Sequence, residues 1–216
     1  MPNLPTTFKK SGETPLVNYS FTDIASGTGL IAFYAATTKE ETTAGYILTE
    51  STNIYSNDEQ TYAQMPKEND TTFRKQLDYD FDLSPFHRPM IFEGTAYVNV
   101  TFGVSQSSTS DSNGCYLILK IRKWDGSTET DIVTAQTETW NDDKGSTYHT
   151  SLIPMTIPKT HFKVGETLRF TVELWTMLDS SISTVTYFLK HDPANRSGTA
   201  ANPNVLRLQM PQDLDL

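Results

Sequence analysis

The stretch HFKVGETLRFTVELW, residues 161–175, limits the folds open to this chain more than any other. From Thr167 onward it alternates: Leu168, Phe170, Val172 and Leu174 fall on one side of an extended backbone, Thr167, Arg169, Thr171, Glu173 and Trp175 on the other. A helix would need apolar residues every three or four positions, so this segment is a strand with one face for a core. The period of two recurs in LIAFYA (30–35), GYILTE (45–50), AYVNVTFGV (96–104), CYLILKIRKW (115–124), TDIVTAQTETW (130–140), HTSLIPMTI (149–157), STVTYFLK (183–190) and VLRLQM (205–210). Ala96, Val98, Val100, Phe102 and Val104 share a side opposite Tyr97, Asn99 and Thr101, and Cys115, Leu117, Leu119 and Ile121 form another such set.

Half-buried strands separated by turn clusters such as SSTSDSNG (107–114), WDGSTETD (124–131) and NDDKGS (141–146) suit antiparallel sheets packed face to face. A parallel sheet would show unbroken apolar runs and intervening helices. The expected fold class is therefore all-β, an antiparallel β-sandwich. About eight core strands make it jelly-roll-like rather than immunoglobulin-like, and the core Cys and Trp arrangement of the latter is missing. Residues 1–28 differ: they are polar and Pro-bearing, with Phe8, Leu16, Val17, Tyr19, Phe21 and Ile24 as the apolar anchors. They read as an extended N-terminal arm that orders against another chain, residues 29–216 as a single sandwich domain, and residues 56–82 as a long acidic connection.

The formal net charge of −9 argues against nucleic acid or an anionic membrane as partner. No window approaches the roughly 18 apolar residues of a membrane helix, and the opening residues carry no apolar export core, so assembly in the cytoplasm is expected. Charged residues are 20% of the chain, against abundant Thr and Ser, which predicts a hydroxyl-rich exterior rather than an ion-paired one. Cys115 stands alone, cannot form an internal disulfide, and reads as a small core residue.

Catalytic signatures are absent from the spacing. His87, His149, His161 and His191 are scattered without metal-ligand spacing, and no G-x-S-x-G or phosphate-binding glycine loop occurs. Glu129, Asp131, Glu138 and Glu173 are the carboxylates that a sugar-cleaving sandwich would use, but an acidic chain supplies such pairs by chance. Asp111 to Gly114 and the pair Asp142 and Asp143 offer oxygen ligands for calcium without matching an EF-hand. The expectation is a non-enzymatic protein with no cofactor and no metal. Trp124, Trp140 and Trp175 fall on or beside the wet faces; contact with another protein is the favoured reading, and a sugar-binding platform is the alternative.

The opening MPNLPTTFKKSGE, the run YSFTDIASGTGLIAFYAATT and the later FEGTAYVNVTF and FKVGETLRFTVELW together resemble virion proteins of tailed viruses, the bacteriophages. The resemblance spans most of the chain in its style of arm, strand and hairpin. It implies a jelly-roll structural protein located in the virion, of the capsid decoration, cement or head-fibre kind. Its partners would be the major capsid or another virion protein and further copies of itself, a trimer being favoured. Phe8, Tyr19 and Phe21 would anchor the arm. The alternative is a carbohydrate- or receptor-binding module of a viral fibre that uses the three tryptophans.

Overall fold

The computed structural model describes residues 28–38, 45–54, 59–62, 69–106, 112–141, 145–179, 185–200 and 203–213. Phe8, Tyr19 and Phe21, the expected arm up to residue 27, and Asp111, Asp142 and Asp143 lie outside the described residues, while Thr28 opens the first strand. Among the described residues there is no helix, and eleven strands follow one another: β1 (Thr28–Thr38), β2 (Gly45–Thr49), β3 (Glu59–Tyr62), β4 (Asn69–Asp82), β5 (Met90–Gln106), β6 (Ser112–Trp124), β7 (Glu129–Gln136), β8 (Gly145–Phe162), β9 (Thr167–Asp179), β10 (Val185–Lys190) and β11 (Arg207–Asp213). Every alternating run of the sequence contains a strand, although TDIVTAQTETW leaves its strand after Gln136 and VLRLQM enters one only at Arg207. One expectation fails: the acidic connection of residues 56–82 contains β3 and the fourteen-residue β4. In QLDYDFD the period of two was present, with Leu77, Tyr79 and Phe81 against Asp78, Asp80 and Asp82, but the acid content masked it.

Hydrogen bonding runs in the order β3-β10-β5-β11-β1-β2-β4-β9-β6-β7, with β8 on the other side of β5. All pairings are antiparallel except the single parallel contact of β2 with β4, Ile47 opposite Asp82. The path folds over at β1, whose first part pairs with β11 and whose end pairs with β2. The chain is thereby an all-β sandwich. Phe102 of β5 and Leu189 of β10, from one layer, meet Leu77, Tyr79, Leu117, Val172 and Leu174 of β4, β6 and β9 from the other. The inward sets read from the sequence are all buried, Cys115 among them.

Two of the register shifts redirect side chains. Between β5 and β8 the register shifts at Phe92 and Gly94, and Gly94 takes φ 122°, a conformation that favours glycine. Between β6 and β7 Ile121 pairs with Val133 but Arg122 with Asp131, leaving Ile132 extra. That slip turns Asp131 and Glu129 to the same outer face as Arg122 and Trp124, where an unbroken ladder would have sent them inward.

Phe102 stacks between Trp140 at 5.6 Å and Tyr187 at 5.9 Å. Replacing Phe102 with Ala should cost about 3–5 kcal/mol in urea unfolding, against under about 0.5 kcal/mol for Val164→Ala, whose side chain is exposed. Equal effects at both positions would contradict this core.

Candidate functional site

β9 lies between β4 and β6, and its outward residues are not wet. Thr171 is fully buried and Glu173 is 2% exposed, because long side chains from the flanking strands close over them. Glu173 Oε1 accepts from Lys120 Nζ at 2.6 Å and from Lys75 Nζ at 3.5 Å, and its Oε2 accepts from Trp175 Nε1 at 2.9 Å. Further along the face, the Arg169 fork donates to both oxygens of Asp82 at 2.7 Å each and reaches Glu129 with its remaining nitrogen. Arg122 donates to Asp131 at 2.7 Å and to Glu129 at 2.8 Å, the two carboxylates that the β7 bulge delivers. Asp80 accepts from Thr171 Oγ1. The hydroxyl-rich exterior expected from composition is corrected here: this layer is laced by ion pairs, since its few charges are concentrated on one face.

The electrostatics follow from that closure. Burial alone would raise the Glu173 carboxyl, but the bonds from Lys120 and Trp175 and the Lys75 charge hold it below the ordinary carboxylate range. Burial pushes the Asp80 carboxyl up, against the opposing Thr171 hydrogen bond and Arg169 charge. The bonds to Asp82 and Glu129 raise the Arg169 guanidinium further above its already high value.

The three tryptophans part company. Trp124 is half-buried beneath the Arg169 guanidinium, 4.5 Å from ring centre to cation. Trp175 is half-buried and stacks at 6.1 Å and 8° on Tyr116, which in turn meets Phe73 at 4.9 Å. Trp140, expected beside a wet face, is 4% exposed in the core. It exchanges backbone hydrogen bonds with Cys115 and packs between Phe102 and His149, while its Nε1 donates to Glu138. The chain leaves the strand rhythm after Gln136 and returns at Trp140, so alternation could not place it. Of the four carboxylates weighed for catalysis, Glu129 and Asp131 share Arg122, Glu173 is sealed, and Glu138 holds the Trp140 indole.

The other layer has a different exterior. β8 is eighteen residues long and, among the described residues, pairs only with β5. Lys159 is its sole Lys, Arg, Asp or Glu. Its outward row runs through Tyr148, Thr150, Leu152, Pro154 and Thr156, all exposed, with Leu152 at 61%. Tyr148 lies across Gly103, where an added Cβ would come within 2.7 Å of the ring, and Thr150 shares a hydrogen bond with Thr101. The alternation of β8 is legible in the sequence, whereas its place at a sheet edge is not.

No family model matches the chain, and no curated protein does. A CocE/NonD family hydrolase from Staphylococcus aureus is 15% identical with a TM-score of 0.43, the match covering 83% of this chain and 36% of that one. An aminopeptidase from a marine sediment Thaumarchaeota archaeon is 13% identical with a TM-score of 0.45, covering 83% and 37%. The VP2 subviral particle of infectious bursal disease virus is 11% identical with a TM-score of 0.25, covering 84% and 42%. The chain spans less than half the length of each of these three proteins. The expectation of a non-enzymatic protein is corrected by these matches, because hydrolases stand among the similar structures. Its premise was the absence of motifs, and catalysis depends on convergence in space, which spacing along a sequence does not report.

Glu173→Gln should destabilise the protein by about 3 kcal/mol at neutral pH, because Lys120 loses its buried partner. The folded-state pKa of Glu173 is depressed, so its contribution is complete above its ordinary value of 4.5 and is lost as pH falls toward the lowered one. Urea midpoints measured from acid to neutral pH should therefore fall less steeply on the acid side in E173Q than in the parent. Parallel profiles would contradict the assignment.

Proposed function

We propose that this chain is a structural β-sandwich protein of a virus particle, a decoration, cement or minor capsid component of the bacteriophage kind. The observation that supports this reading is β8, a long edge strand without the charges that solitary proteins place on such edges. Pro154 and Pro158 lack the N–H that a further strand would need, which confines pairing to the first half of β8. The occupant of that half is a second copy of this chain, and the exposed Leu152 and Tyr148 give the contact its apolar centre. A closed ring built by heterologous contacts is a trimer in its smallest form. Residues 1–28, through Phe8, Tyr19 and Phe21, reach the major capsid or another virion protein, each contributing on the order of 1.5–3 kcal/mol if fully buried there.

Light scattering on the purified full chain should give the mass of a trimer or larger assembly, and Leu152→Lys should lower it toward that of one chain without loss of strand signal in circular dichroism. Removal of residues 1–28 should abolish attachment to the particle while the sandwich stays folded. A single-chain mass at every concentration, or attachment indifferent to the truncation, would sink the reading.

A further inference from the structure

Three strands in register build the floor of a cleft of about 530 Å³ on the outer face of the β5 layer. Tyr34 of β1 stands opposite Arg207 of β11, and Arg207 opposite Asn99 of β5. One wall is the segment after β2, with Asn53; the other is the connection from β10 to β11, with Pro193 and Pro203. Both walls are braced. The buried Asp192 accepts from the backbone N–H of Ala194 at 3.1 Å and of Arg196 at 2.6 Å, and from Arg196 Nη1 at 2.8 Å. The other end of the same guanidinium donates to the Ile54 carbonyl, tying one wall to the other. Asn195 holds the turn in the left-handed region at φ 51°, and its side-chain oxygen accepts from the Asn204 N–H at 2.7 Å.

The floor carries two unmet demands of opposite sense. Asn99 Oδ1, an acceptor, and Arg207 Nε, a donor, are buried and without a hydrogen-bond partner among the described residues. Arg122, Arg169 and Arg196 are each met by carboxylates, whereas no described carboxylate pairs with Arg207. A native fold leaves very few such groups unsatisfied, and a guanidinium that lines a braced cleft without a carboxylate partner calls for an anionic acceptor. The neighbouring amide oxygen calls for a hydroxyl. In antiparallel partners the Cα atoms lie about 4.5–5.5 Å apart, so one small molecule can serve both. Tyr34 and the two prolines offer apolar surface to the C–H edges of a ring, and the volume falls in the roughly 300–1,000 Å³ range of small-molecule sites.

We propose that this cleft binds a small polyhydroxylated carboxylate of the sugar-acid class, with the carboxylate on Arg207 and a hydroxyl donated to Asn99. The site does not depend on assembly through β8, and the two are tested separately.

Isothermal titration of the full chain with D-glucuronate, D-glucose, acetate and inorganic phosphate reads the proposal. Glucuronate should bind saturably, with glucose, acetate and phosphate weaker by about tenfold or more. Arg207→Met should abolish glucuronate binding and Asn99→Ala should weaken it. Asn53→Ala, an exposed wall position that cannot endanger the fold, should also weaken it. No saturable binding of glucuronate up to roughly 10 mM would overturn the proposal. So would equal binding of glucose, acetate or phosphate, or binding that survives all three substitutions.

Discussion

A carboxylate sealed in the middle of a sheet constrains everything around it. Glu173 sits on the central strand of its layer with a side chain only 3% exposed, so its charge must be met from within. Lys120 and Trp175 meet it, which fixes the outward side of β6 and orders the Tyr116 and Trp175 stack. The same logic repeats where Arg169 clamps Asp82 on β4 and Glu129 on β7, a span of four strands. Buried pairs of this kind add little net stability over an apolar alternative, but breaking one is costly, so they select a register. The β7 bulge belongs to this system, since without it Glu129 and Asp131 would turn away from Arg122.

The sandwich itself was legible because burial imposes a period of two that composition cannot hide in β5, β6 and β9. β4 was hidden for a physical reason: Asp78, Asp80 and Asp82 look like a solvated loop until Arg169, eighty-seven residues from Asp82, is brought to Asp80 and Asp82. Trp140 was misplaced because it joins β6 through an isolated bridge to Cys115, outside any strand rhythm. The polarity of Asn99 and Arg207 was readable, and their lack of partners was not, because that depends on strands more than a hundred positions apart in sequence coming into register. No local signal distinguishes a satisfied outward polar residue from an orphaned one.

The two layers thus turn different exteriors outward. The β4-β9-β6-β7 layer is locked by its own ion pairs and has little left to offer a partner. The β5 layer is short of charge, rich in hydroxyls, and carries both the open β8 edge and the braced cleft. This asymmetry suits a protein held to neighbours on one side, with its charge assigned to holding its own strands together.

Hydrogen exchange along residues 145–153, followed as protein concentration is raised, tests assembly through β8 most directly. Protection of the outward amides of this segment should grow with concentration while that of β9 stays constant. Amides of β8 that exchange at the same rate at every concentration would contradict the account.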